Sequence, residues 1–148
     1  MESLIRPRPY FVPSNHAGVN LSRPYLYLIV VNSPATEYRY VGKGSSPSRM
    51  EAYLRNVERV LEGKTKRPAL TRDGRPQSEG NQKYRYVHLV LATAVLRGWP
   101  ITQIALENCE KAEHSALEKR RTVEHRCNMN NGPSWFITDF ASLAARVL

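Results

Sequence analysis

The sequence predicts an α+β fold, a small three-stranded antiparallel sheet with helices packed on it. Three observations carry this. The run Tyr25 to Val31 (Tyr-Leu-Tyr-Leu-Ile-Val-Val) is aromatic and β-branched, as strands are. Turn residues, Asn32-Ser33-Pro34-Ala35-Thr36, separate it from a second short strand, Tyr38 to Val41, so the two form a hairpin. Beyond the hairpin, apolar residues recur at helical spacing around one more strand-like run, Ile101 to Leu106.

Residues 1–24 hold Pro7, Pro9, Pro13 and Pro24 among Arg6, Arg8 and Arg23. They read as an extended basic arm lying on the domain or on a ligand. Residues 25–148 then make one domain. Side chains alternate along a strand, so Tyr25 and Tyr27 share one face of the hairpin, as do Tyr38 and Tyr40. Gly42-Lys43-Gly44 closes its end. Ser46-Pro47 opens the first helix, with Ser as N-cap and Pro in the first turn. Met50, Leu54, Val57 and Leu61 form its buried stripe. Arg49, Tyr53 and Asn56 form a second, polar stripe that can face a site.

Glu62 to Arg85 is rich in breakers and carries seven Lys or Arg (Lys64, Lys66, Arg67, Arg72, Arg75, Lys83, Arg85) against three acids. A loop of this length has two readings, a solvated surface segment or a phosphate-contacting segment. On the second reading Lys64, Lys66, Arg67, Arg72 and Arg75 are the nucleic-acid contacts. Tyr84 to Arg97 is a second helix, stopped by Gly98-Trp99-Pro100. Ile101 to Leu106 is the third strand, and Glu110 to Arg126 a third helix. After the loop Asn128 to Pro133, Phe140, Leu143, Ala144 and Val147 mark a terminal helix.

The chain has 148 residues, a formal charge of +9 and 41% hydrophobic residues, enough for one core. The pI of about 9.9 favours a polyanionic partner, of which nucleic acid is the usual one. No apolar run approaches the roughly 20 residues that span a bilayer, and the N-terminus lacks the apolar core of a secretory signal. Cys109 and Cys127 alone make no disulfide framework, so the expected compartment is reducing and cytoplasmic. Cys109, His114, His125 and Cys127 resemble a zinc set by spacing. On one helix, however, the two histidines would stand about 16 Å apart and could not share a tetrahedral ion.

Tyr25-Leu26-Tyr27, then Tyr40-Val41-Gly42-Lys43-Gly44, then Arg49 is the spacing that bears on function. It gathers phenols, a lysine, a close-approach glycine and an arginine in one supersecondary unit. The pattern resembles the two-part signature of the GIY-YIG nuclease superfamily over residues 25–132. It is most similar to the LEM-domain-nuclease branch and the small stand-alone phage and restriction nucleases. The first-motif glycine is here Tyr25.

The resemblance implies a DNA endonuclease using Mg²⁺ or Mn²⁺. It implies Tyr27 as general base, with Tyr40 positioning water or phosphate; a phenol needs a cation nearby to ionise, and Lys43 is the one the sequence offers. Arg49 would grip phosphate, with Tyr53 one turn on. Glu118 would hold the metal, with Glu113 as the alternative, and Asn130 would be the family asparagine, with Asn128 close by.

The chemistry fits these types separately. An arginine fork suits phosphate oxygens, and Mg²⁺ needs few protein ligands because it keeps its waters. A phenol, with an ordinary pKa of about 10, needs cationic neighbours to act as a base. A single site implies a homodimer or successive nicks for double-strand cutting. The rival expectation is a nucleic-acid-binding module that keeps the fold without cleavage, and RNA remains a possible substrate.

Overall fold

A computed structural model of the chain describes residues 7–64, 73–75, 83–130, 132, 134–135 and 140–148. The strands are β1 (Tyr25–Asn32), β2 (Glu37–Gly44) and β3 (Ile101–Asn108). The helices are α1 (Ser48–Leu61), α2 (Tyr86–Arg97), α3 (His114–Glu124) and α4 (Phe140–Val147), with a 3₁₀ turn at Lys111–Glu113. The sheet runs β2-β1-β3, and both pairings are antiparallel. This is the α+β arrangement that the sequence predicts. Among the described residues, no helix is long and apolar enough to cross a membrane.

β1 is central, which explains why seven of its eight residues are buried. Its alternation divides the interior in two. Tyr25, Tyr27, Ile29 and Val31 face α1 and α2, where Met50, Tyr53, Val57, Val60, Val87 and Leu91 complete the main core. Leu28 and Val30 face the other way, with Val41, Ile104 and Cys127. α3 lies on this second side and buries none of its residues. Polar ties hold it there. Arg121 pairs with Glu107 of β3 at 3.0 Å, and the Arg39 guanidinium donates to the His125 carbonyl at 3.4 Å. A bulge between Leu26 and Tyr27 turns Glu107 toward that helix, as the partner of Leu26.

Both edges of the sheet are covered, as exposed edges must be to avoid unwanted pairing. Asn128 and Met129 donate to the Arg39 carbonyl along β2, and the Asn128 side chain accepts from Arg39 N–H. The Asn130 carboxamide brackets Val41, accepting from its N–H and donating to its carbonyl. On the β3 side, Ser14 of the N-terminal arm exchanges backbone bonds with Gln103 and Ala105. The arm therefore lies on the domain, with Tyr10, Phe11 and Val19 buried.

Three local expectations change. α1 starts after Pro47 with no side-chain cap. The Ser46 carbonyl instead accepts from the Tyr25 hydroxyl and from Arg49 N–H, and its hydroxyl meets Ser48. The buried stripe of α1 is Met50, Tyr53, Val57 and Val60, because Tyr53 turns into the core and leaves Leu54 and Leu61 half-buried. The predicted helix from Glu110 to Arg126 is a 3₁₀ turn followed by α3, which stops at Glu124; Arg126, two residues on, has a left-handed φ of 52°.

Gly42 sits opposite Tyr27 in the hairpin register, and a methyl group there would collide with the Tyr27 ring. That ring is walled in by Tyr25, Tyr40 and Tyr53 and cannot swing clear. Gly42→Ala is expected to lower unfolding free energy by about 1–3 kcal/mol in urea titration. Wild-type stability in this variant would contradict the described packing.

Candidate functional site

The register of the hairpin brings Tyr27 over Gly42 and Tyr40 beside Ile29, on the face that receives α1. One turn into α1, Tyr53 inserts between them. The Tyr27 and Tyr53 hydroxyls share a hydrogen bond of 2.5 Å, and the Tyr53 ring meets both Tyr27 and Tyr40 edge-on. Three tyrosines from three elements thus form one cluster, and two of them carry the strand motifs read from the sequence.

Two arginines close this cluster. The Arg49 stem lies over Gly44, where a side chain would meet its Cγ at 2.7 Å, and its guanidinium stacks 5.7 Å from the Tyr53 ring centre. Arg85, at the start of α2, donates from Nη1 to the Tyr40 hydroxyl at 2.9 Å and from Nη2 to the Tyr53 hydroxyl at 3.4 Å. Both guanidinium groups belong to half-buried residues, and among the described residues neither forms an ion pair. Beside them His88 is fully buried, accepting from Arg85 N–H at Nδ1 and meeting Asn56 at Nε2. These groups line an open cleft of about 490 Å³ between α1 and α2.

Burial sets the protonation of the phenols. It pushes Tyr27 up to about 12, helped by Tyr40 and opposed by Arg49. Burial likewise raises Tyr40, aided by Tyr53, and raises Tyr53, aided by Tyr27. At neutral pH all three are protonated, so they donate and accept hydrogen bonds but carry no charge. Arg85, Tyr53 and Tyr27 form a chain in which each hydroxyl can accept from the group before it and donate to the next.

The remaining predicted site residues lie across the sheet. Lys43 has the opposite alternation from Tyr27 and donates to Ser115 Oγ of α3 at 2.5 Å. It is therefore not the cation beside Tyr27, because the sheet stands between them; Arg49 and Arg85 take that place. Glu118 is on α3, and so it also faces the sheet from the second side. His114, Leu117, Glu118, Arg121 and Thr122 are its half-buried stripe. His114 Nε2 donates to the carbonyl of Tyr25, so the stripe begins where the two faces meet at the hairpin end. Helical side chains lean toward their N-terminus, which tilts Glu118 back to that end. Asn130 covers the edge of β2, as described above.

Glu118 is the carboxylate that could hold a hard cation on this side of the sheet. Its carboxylate is half-buried, and among the described residues it makes no hydrogen bond or ion pair. No group of three His, Cys, Asp or Glu side chains gathers among those residues. Any ion here would thus rest on one carboxylate and water, a donor set that suits Mg²⁺. Glu113, in the 3₁₀ turn, is exposed.

Of the basic-loop residues, Lys66, Arg67 and Arg72 lie outside the described residues. Lys64 is held by Glu62 at 2.7 Å, and Arg75 is exposed. Sequence reasoning assigned Arg85 to that loop and passed over His88. The available signal was position, since Arg85 and His88 stand at the cap and third residue of a helix, where the His88 ring accepts from Arg85 N–H and His88 N–H donates to the Arg85 carbonyl. No protein-family model matches this chain, and no curated protein or solved structure matches it significantly.

The raised phenol gives a stability prediction. The unfolded Tyr27 ionises near 10 and the folded one near 12, so the folded state holds the extra proton between these values. Stability is then full below about pH 10 and falls as pH rises through that window. Tyr27→Phe is expected to flatten this loss in urea titrations from pH 8 to 11 (about three pH units, spanning the free-phenol value). An unchanged alkaline slope in the variant would contradict the burial of an ionisable Tyr27.

Proposed function

We propose that the protein is a metal-dependent DNA endonuclease of the GIY-YIG type. One observation carries the reading. Tyr27, Tyr40, Tyr53 and Arg49, spaced in the chain as that resemblance requires, come from three elements into one cluster. Simple cross-strand packing of tyrosines does not call for a guanidinium beside it that, among the described residues, has no carboxylate partner.

On this reading the scissile phosphate lies across the hairpin end, beside Arg49, whose stem crosses Gly44. Arg49 grips its non-bridging oxygens with a planar fork. The protonated phenols of Tyr40 and Tyr53 are polarised by Arg85 and stabilise charge that develops on the phosphorane. Tyr27 is the proton acceptor of the reading. Its raised pKa must fall by several units for that role, and Arg49 and Arg85 are the cations placed to lower it. Glu118 would hold Mg²⁺ from the second face, with Lys43 beside it. The ion would activate water and neutralise charge on the leaving oxygen. The high positive charge favours a nucleic-acid substrate, DNA or RNA, in a reducing cytoplasmic setting, and two copies would be needed for a double-strand cut.

A second reading is a binding module without cleavage. The full burial of Tyr27 and the sheet between Glu118 and the phenols favour it. Supercoiled plasmid separates the two. Nicking or linearisation is expected with Mg²⁺ and not with EDTA. It should be lost in Arg49→Ala and in Glu118→Ala, while salt-sensitive binding persists in a mobility-shift assay. Binding without cleavage by the wild type would support the second reading. Wild-type cutting by either variant would overturn the site assignment.

A further inference from the structure

The α1–α2 cleft extends away from the hairpin end, beyond the place assigned to the scissile phosphate. Its walls carry Arg49, Arg59 and Arg85, with Arg55 paired to Glu51 at 3.8 Å, against two carboxylates, Glu58 and Glu62. Those carboxylates are already engaged. Arg8 of the N-terminal arm meets Glu62 at 2.9 Å and Glu58 at 3.6 Å, and Lys64 holds Glu62 at 2.7 Å. Arg8 and Lys64 together thus offset the two carboxylates at the mouth of the cleft, which leaves Arg49 and Arg85 to set the charge of its inner end.

Arg85 is the group at the inner end. Its known partners, the hydroxyls of Tyr40 and Tyr53, are neutral, and among the described residues no carboxylate pairs with it. A guanidinium has five N–H donors, and these two bonds use two of them. A half-buried cation facing open space with donors to spare suits an anion that enters the cleft. The volume, about 490 Å³, is in the range that holds a nucleotide-sized group. The cleft is continuous with the tyrosine cluster through Tyr53, so an anion here adjoins the one at Arg49.

We propose that this cleft is a second phosphate subsite, in which Arg85 holds the phosphodiester next to the scissile one in a nucleic-acid strand. The proposal rests on the nuclease reading for the word scissile, but not for the binding itself. The shared ligand chemistry is a phosphate ester. Its two sources, a strand or a free nucleotide, differ in whether a second phosphate reaches Arg49 at the same time. Engagement of both arginines by one ligand predicts a strand of linked phosphates.

Binding in EDTA tests this without any cleavage. Calorimetric titrations would use a single-stranded deoxytrinucleotide, thymidine monophosphate and inorganic phosphate. The proteins would be the wild type, Arg85→Gln and Ala52→Glu. The last variant sets a carboxylate on the cleft wall at a half-buried position that makes no side-chain hydrogen bond. It keeps the test decisive if Arg85→Gln does not fold.

The trinucleotide is expected to bind the wild type at least about tenfold more tightly than phosphate, with both variants losing that advantage, as one charge-assisted contact commonly contributes. Equal trinucleotide affinity in wild type and Ala52→Glu would overturn the subsite. Thymidine monophosphate binding as tightly as the trinucleotide would overturn the strand and assign the cleft to a free nucleotide. Cleft-dependent binding by a protein that never cuts plasmid would refute the nuclease reading and leave the subsite standing. Plasmid cutting with no cleft-dependent binding would do the reverse.

Discussion

The organisation of this protein turns on two half-buried guanidinium groups, Arg49 and Arg85, that no carboxylate neutralises among the described residues. Removing a charge from water is costly unless another charge or several hydrogen bonds compensate it. Among the described residues the compensation comes from phenol oxygens and ring faces, on Tyr27 and Tyr53 for Arg49 and on Tyr40 and Tyr53 for Arg85. Those phenols are themselves buried and kept neutral. The cluster therefore holds two cations whose described side-chain partners are neutral, so an anion beside them would be favoured.

The rest of the fold positions that cluster. The central strand supplies Tyr27 from its middle, where neighbours on both sides fix its direction. Gly42 is small so that the Tyr27 ring can lie flat against β2, and Gly44 is small so that the Arg49 stem can cross it. The asparagines after α3 satisfy the outer edge of β2, which keeps the motif strand straight without a fourth strand. The same asparagines answer a structural need that would exist without any catalysis, so their chemistry is accounted for by the sheet edge.

Much of this was legible in the chain. The hairpin, its tyrosine face and the arginine of α1 follow from alternation and from helical spacing, both local rules. The depth of Tyr53 was not legible, because a polar stripe and a buried stripe differ by a small rotation of the helix on the sheet. Alternation itself puts Lys43 on the other face from Tyr40, yet reading it as a neighbour of Tyr27 rested on closeness in sequence. The side of the sheet taken by α3 depends on the β3–α3 connection and on the bulge that turns Glu107 to meet Arg121. Arg85 was hidden by its company, since one arginine among seven basic residues of a loop carries no mark of its own.

Thermal unfolding in sodium phosphate against sodium chloride of equal ionic strength tests the central claim, the unmet charge of Arg49 and Arg85. An anion that binds the folded state alone raises the midpoint by mass action. The account predicts a higher midpoint for the wild type in phosphate, and no difference between the two salts for the double variant Arg49→Gln, Arg85→Gln. The same rise in both proteins, or no rise in the wild type, would contradict it.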